Sequence, residues 1–321
     1  MTWLITGGAG YIGSHIVAAA TRAGIKTVVI DDLSTGMKDR IPEGIDFYQA
    51  DIADRTVLRK ILQDHDIKGL LHLAARKQVG ESVQDPLGYW ESNVGRMQVL
   101  LEEMTSANVK LVVFSSSAAV YGSPITGSEL DENALCLPIN PYGATKLAGE
   151  LLIDSLSQAG KVNSLSLRYF NVAGAEDKVL ADRLALNLIP IVLSNIDAGK
   201  DLPVFGTDYA TPDGTCIRDY VHVVDLAEAH VAAMQHLEQG AVGHTRLNIG
   251  TGTGSSVLEI VHGLEEIMNS KIVWSDAGRR AGDPAALVAK VGKVTEVLGW
   301  SAKHDLRDIL QSAWDAWPKS N

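Results

Sequence analysis

The chain has little cysteine. Cys136 and Cys216 are the only two in 321 residues, and neither stands in a metal or redox spacing. This argues against a disulfide framework or a thiolate metal centre and fits two idle thiols in a reducing compartment. Basic residues are also scarce. The 28 Lys and Arg stand against 39 Asp and Glu, for a net charge of -11. A phosphate backbone needs clustered cations, so no nucleic-acid partner is expected. An anionic small substrate would need local arginines to overcome the general field. No apolar run reaches the ~18 residues of a membrane span, so no membrane contact is expected. The chain opens directly on strand-like WLIT (3–6) without a leader pattern, and a cytoplasmic location is expected. There is no repeat, low-complexity tract or charged tail. The nine histidines are scattered. His222 with Asp219 and Asp225 is the nearest thing to a cluster, and no metal is expected there.

What is present is an ordinary globular composition, 46% hydrophobic and 21% charged, on a chain long enough for one large domain or two joined ones. Short aliphatic runs recur: WLIT (3–6), KTVVI (26–30), DFYQA (46–50), GLLHLA (69–74), KLVVF (110–114) and SLSLRYF (164–170). Amphipathic stretches such as IVAAATRAG and TVLRKILQDH separate them. This alternation predicts an α/β fold with a doubly wound parallel sheet of the Rossmann type. After Phe170 the rhythm breaks into turn-rich polar stretches, NVAGAEDKV and GTDYATPDGT. The expected division is a dinucleotide-binding domain over 1–170 and a smaller α/β substrate lobe over 171–321, with 218–245 returning to the first.

The first strand runs into TGGAGYIGS (6–14), which holds Gly8-x-Gly10-x-x-Gly13 and Gly7-x-x-Gly10-x-x-Gly13. Glycines there allow a tight turn, close backbone approach to a pyrophosphate and tight helix–strand packing, and the helix N-terminus faces the negative charge. Asp31 follows 18 residues after Gly13, placed to bind both hydroxyls of an adenosine ribose. Asp31 and Asp32 would repel a 2′-phosphate, so the expected cofactor is NAD rather than NADP. Lys38 and Arg40 read as solvated loop cations. Asp51-Ile52 fits either a contact to the adenine edge or a helix N-cap followed by a core isoleucine.

PYGATK (141–146) places Tyr142 and Lys146 on one helical face. A phenol has an ordinary pKa of about 10, and making it a base near neutrality takes about 4 kcal/mol. A nearby ammonium and a cationic nicotinamide ring both act in that direction. The strand end FSSSAAVYG (114–122) supplies hydroxyls at the carboxyl end of the fifth strand.

Together, TGGAGYIGS, FSSSAAVYG and YGATK resemble the extended short-chain dehydrogenase/reductase superfamily. KQVGESVQDPLGYWESNV (77–94), LRYFNVAGA (167–175), NLIP (187–190), VFGTDYATPDGTCIRDYVHVVDLA (204–227) and RRAGDPAALVA (279–289) narrow the resemblance to the family of UDP-glucose 4-epimerases, from about residue 2 to residue 317. The resemblance implies NAD-dependent interconversion of UDP-glucose and UDP-galactose through a 4-keto sugar. Tyr142 would take the 4-hydroxyl proton, Ser117 would hydrogen-bond that hydroxyl, and Lys146 would lower the Tyr142 pKa and bind the nicotinamide ribose. Relatives that eliminate water carry acids just after the catalytic hydroxyl. Ala118 and Ala119 stand here, and a methyl group cannot carry a proton.

By the same resemblance, Gly7, Gly10, Tyr11, Ile12, Gly13, Asp31, Asp32, Leu33, Ser34, Thr35, Gly36, Asp51, Ile52, Leu73, Ala74, Ala75, Lys77, Asn93 and Phe170 surround NAD, together with Tyr142 and Lys146. Arg218 and Arg280 meet the diphosphate as planar two-donor forks, with Arg279 a surface charge. Asn171, Asn187, Leu188, Val204, Phe205 and Asp283 surround the nucleotide and sugar, although Leu188 and Phe205 also read as core. Leu287 falls where the family limits room beside the sugar's C2. The same reaction on UDP-N-acetylglucosamine or UDP-glucuronate therefore stays open, as does a non-catalytic NAD-binding scaffold. NVGRM (93–97) lacks the Asn-Gly-Thr common after Asn93-Val94, an expected change of helix packing. A homodimer is expected through helices near 87–105 and 143–159.

Overall fold

The structure is a computed structural model that describes residues 1–124, 129–184, 186–280 and 283–318. The chain begins β1 (Thr2–Thr6), α1 (Tyr11–Arg22), β2 (Lys26–Asp31), β3 (Asp46–Gln49), α2 (Arg55–Asp64) and β4 (Ile67–His72). It continues through α3 (Val79–Gln84), α4 (Pro86–Trp90), α5 (Arg96–Ser106), β5 (Leu111–Ser117), β6 (Glu129–Leu130), α6 (Pro141–Gln158), β7 (Asn163–Tyr169) and β8 (Asn171–Ala173). Then come α7 (Leu188–Asp197), β9 (Leu202–Val204), β10 (Ile217–His222), α8 (Val223–Glu238), β11 (His244–Ile249), β12 (Gly254–Ser256) and α9 (Val257–Met268). Last are β13 (Trp274–Asp276), β14 (Ala286–Ala289), α10 (Gly292–Leu298) and α11 (Leu306–Ala316).

Seven strands form one parallel sheet in the order β11-β7-β5-β4-β1-β2-β3. The direction of winding reverses between β1 and β4, and a ligand crevice is expected outside the carboxyl ends of the strands there. The near-continuous apolar runs follow from burial on both faces. Side chains alternate across the sheet. Trp3, Ile5, Val29, Leu71 and Val113 join a core with Ile16 of α1 and Leu226 and Met234 of α8. Leu4, Val28, Ile30, Leu70 and Val112 join the opposite core with Leu58 of α2, Leu100 of α5 and Ile153 of α6. Trp3 is fully buried, and a Cβ at Gly69 would stand 2.5 Å from its indole, so the neighbouring strand needs glycine there. Truncating Trp3 to alanine would cost about 3–5 kcal/mol.

The predicted strands are all present, with shifted ends. β5 runs on through Ser117, so the three serines lie within the strand. β4 stops at His72. The seventh strand, β11, lies outside the predicted runs; only the last three of its residues HTRLNI are fully buried.

A second sheet runs β12-β10-β14-β6, with β8 paired to β10, and β9 pairs with β13. Its core includes Ile189 and Val192 of α7, Ile260 of α9 and Ile309 of α11. Helix starts are fixed locally. Asn140 accepts from Gly143 N at 2.8 Å ahead of Pro141, and Ser256 with Glu259 and Asp305 with Asp308 form capping boxes. Between α4 and α5 the helix widens into a π turn over Glu91–Gly95, which is where the NVGRM departure falls.

Two local readings change. Arg40 is not solvated; it is 5% exposed and bonded to a distant loop. Asp51 is not the N-cap of α2. Asp54 caps it through Thr56 N and Val57 N, while Asp51 accepts from Ala53 N and pairs with Arg96 at 2.6 Å.

Candidate active site

A cleft of about 1050 Å³ crosses the carboxyl ends of the parallel strands. Its floor at one end is the glycine turn. Gly7 has φ +72°, and a Cβ on it would lie 2.8 Å from Ala74 N; a Cβ on Gly13 would lie 2.1 Å from Gly7 O. No side chain caps the start of α1, so its first amides are available to an anion. Asp31 is buried. Its Oδ2 accepts from Ala9 N at 3.0 Å and its Oδ1 from Leu33 N at 2.8 Å, leaving lone pairs on both oxygens. Burial raises its pKa, opposed by those two amides. Asp32 is engaged with Ser34 N at 2.8 Å. A dinucleotide fits these residues, because the cradle is one that side chains would fill and the carboxylate stands at its far end.

Gly7, Gly10, Tyr11, Ile12, Gly13, Asp31, Asp32, Ser34, Thr35, Asp51, Ile52, Leu73, Ala74, Ala75, Lys77 and Phe170 all line the cleft. Leu33, Gly36 and Asn93 stand behind its wall. Leu33 adopts φ +60° to send its amide to Asp31, and a Cβ on Gly36 would meet Asp31 Oδ1 at 2.7 Å. Asn93 holds the wall loop, accepting from Arg76 N at 2.9 Å and donating to Arg76 O at 3.0 Å and Thr145 Oγ1 at 3.1 Å.

Midway, Ser117, Tyr142 and Lys146 face the cleft with Ala118 and Ala119. Ser115 and Ser116 are fully buried, bonded to His230 Nε2 at 3.0 Å and to Glu150 at 2.5 Å. Glu150 in turn takes a two-point bond from buried Arg168. Burial pushes the Tyr142 phenol up, and the Ser117 hydroxyl beside it pulls it down. Lys146 lies on the same helical face, but its ammonium donates to the Ser115 carbonyl at 2.8 Å. Burial lowers its pKa to about 8, against the raising effect of Glu150.

At the other end stand Asn171, Asn187, Leu188, Arg218, Arg280 and Asp283, with Leu287 beside them. Arg218 donates to Asp283 at 2.6 Å and to Ile217 O at 2.7 Å. The Arg280 guanidinium lies 3.7 Å over the Phe205 ring. Val204 ends β9 inside the second core, so Val204 and Phe205 support the site from behind. Arg279 is half-exposed and paired with Asp208 at 2.6 Å. Next to Arg218, Asp219 is fully buried. Its carboxylate accepts from Thr251 N and Oγ1 at 2.8 Å, Gly252 N at 3.0 Å and Ala289 N at 3.2 Å. His222 bonds Ser312 and Asp225 bonds His304, so the three residues face different partners.

Arg96, Tyr169, Asp182 and Tyr220 also line the cleft without having a place in the sequence reading, and Arg40 lines it against the reading as a solvated cation. No local spacing marks them, since each is brought in by the tertiary fold.

A parallel dinucleotide-type sheet with Ser117 at the end of β5 and Tyr142 and Lys146 of α6 facing one cleft defines a nicotinamide-dependent enzyme of the short-chain class. Residues 3–250 match the model of the NAD dependent epimerase/dehydratase family. The UDP-glucose 4-epimerase of Azospirillum brasilense is 44% identical over 99% of this chain and 92% of its own length. The crystal structure of UDP-glucose 4-epimerase from Stenotrophomonas maltophila, with bound NAD and formylated UDP-arabinopyranose, is 39% identical, with a TM-score of 0.93 over 98% of this chain and 97% of that one. The Brucella ovis UDP-glucose 4-epimerase in complex with NAD is also 39% identical, with a TM-score of 0.93 over 97% of both chains. The chain belongs to the NAD-dependent epimerase/dehydratase family and, within it, to the UDP-glucose 4-epimerases, which makes it an NAD-dependent isomerase.

Proposed function

We propose that the enzyme interconverts UDP-glucose and UDP-galactose by removing and restoring hydrogen at the sugar's C4. The observation that carries this is the meeting of Tyr142 and Ser117 on a cleft wall whose next two side chains are methyl groups. When bound, NAD supplies the reversible acceptance of the hydride. Tyr142 accepts the proton of the 4-hydroxyl and returns it. Ser117 orients that hydroxyl and offsets the burial that disfavours the phenolate. Lys146, held against the Ser115 carbonyl, keeps a cation beside the cofactor's ribose. Ala118 and Ala119 offer no proton for elimination. Arg218 and Arg280 bind the diphosphate, so binding energy comes from the part of the substrate that does not react. NAD is favoured over NADP by Asp31 and Asp32, and Arg40 is engaged with backbone carbonyls rather than free for a 2′-phosphate.

Other UDP-sugars, N-acetylated or uronic, form the second reading, supported by the intermediate size of Leu287 on the cleft wall. The protein works as a homodimer in the cytoplasm. Leu87 and Trp90 of α4 and Leu151 of α6 are exposed apolar side chains on helices that contact each other, a surface that a second copy would cover.

Mixing the purified protein with UDP-galactose and no added cofactor tests the proposal. Formation of UDP-glucose is expected. No conversion even with NAD added would overturn it and direct the assay to the other UDP-sugars.

A further inference from the structure

Arg40 has no part in the chemistry above, yet its placement is costly and specific. It ends the short turn Lys38–Arg40 that follows the ribose wall. A buried guanidinium is tolerated only when its donors are met. Here Nη2 donates to the Ala181 carbonyl at 2.6 Å and Nε to the Val179 carbonyl at 3.3 Å, across 141 and 139 residues of sequence. Those carbonyls lead directly to Asp182. Asp182 Oδ1 accepts from Leu184 N at 3.2 Å, and Oδ2 accepts from Asn187 Nδ2 at 3.1 Å. Asn187 stands at the start of α7 and lines the substrate end of the cleft. The Arg40 end of this chain of contacts is anchored separately, by Met37 N to Ala9 O at 2.9 Å. A fork fixed on the cofactor side thus holds a loop whose far end holds a substrate-side amide.

We infer that Arg40 is a positioning residue for UDP: it fixes residues 179–182 so that Asp182 presents Asn187 to the nucleotide. The inference rests on the UDP-sugar reading of the cleft and is independent of which sugar is attached. The guanidinium plane is required because one flat group must reach two carbonyls, which an ammonium does not do in the same way.

The test compares wild type, Arg40→Met and Arg40→Lys as purified holoenzymes. It reads UDP affinity by calorimetry, KM and kcat for UDP-galactose, and NAD content after denaturation. Both variants are expected to weaken UDP binding about tenfold, the worth of one misplaced hydrogen bond to a charged group. KM rises by the same factor, kcat changes less than about twofold and NAD content stays at the wild-type level. Wild-type UDP affinity in Arg40→Met overturns the inference, as does loss of NAD with UDP affinity intact. Wild-type affinity in Arg40→Lys shows that charge alone acts and overturns it too. Should the Arg40 variants fail to fold, Asp182→Ala is expected to show the same tenfold loss, and unchanged affinity there overturns the inference by itself. A wild-type protein that binds UDP but leaves UDP-galactose unchanged would remove the sugar assignment and leave the Arg40 measurement standing.

Discussion

The cofactor end of the cleft is shaped by backbone, whereas the substrate end is shaped by side chains already bonded to one another. At the first, Gly7 and Gly13 leave no room for a Cβ, and the Asp31 carboxylate is set by two amides. At the second, Arg218 is paired with Asp283 and Arg280 lies on Phe205. A site made of backbone is rigid and tolerates no added atom. One made of paired arginines must exchange a protein partner for a ligand, and it can be weakened in steps. Tyr142, Ser117 and Lys146 stand where the two constructions meet.

The largest effect is expected at that meeting point. Tyr142→Phe removes the proton acceptor and little volume, so kcat should fall about a thousandfold with NAD content unchanged. Activity within tenfold of wild type would show that another group is the base. Next is Gly13→Ala at the cofactor end. Its Cβ would stand 2.1 Å from Gly7 O, against backbone that cannot yield. Purified protein should carry no NAD and should melt at a lower temperature, and an NAD-replete variant would show that the turn is softer than its geometry. Arg280→Ala probes the other end. KM for UDP-galactose should rise between about tenfold and a hundredfold with kcat nearly held, because a charge-assisted bond to phosphate is worth about 1.5–3 kcal/mol. Smallest is Arg279→Ala. This exposed side chain pairs with exposed Asp208, so KM should move less than about twofold. Equal effects at Arg279 and Arg280 would mean that stacking on Phe205 does not select the binding arginine.

The same contrast sets what was legible in the sequence. The parallel sheet could be read because β1, β2, β4 and β5 are short apolar runs whose pattern is local. The glycine turn and Asp31 could be read because their roles depend on spacing along one strand–helix unit. Ser117 could be chosen only by resemblance, and its own pattern was silent; the structure shows why, since Ser115 and Ser116 differ from it only in facing His230 and Glu150. Arg40 read as solvent-exposed because the loop that covers it lies some 140 residues away. Arg96 escaped notice for the same reason, as its partner Asp51 belongs to another strand–helix unit. β11 was missed because three of its six residues are only half-buried and its apolar pattern is correspondingly weak.

The buried Asp219 has a kinetic meaning. Its carboxylate gathers amides from the 251–252 turn and from β14, so the backbone beside Arg218 is riveted to two neighbouring segments. If a diphosphate displaces Asp283, as proposed above, only the side chain of Arg218 has to move. Exchanging one side-chain partner needs no loop or domain closure, which are the slower classes of motion. At this point the cleft is a latch rather than a lid. Capture of the nucleotide would then wait on no closing segment, and its rate would fall with ionic strength as salt screens the two arginines.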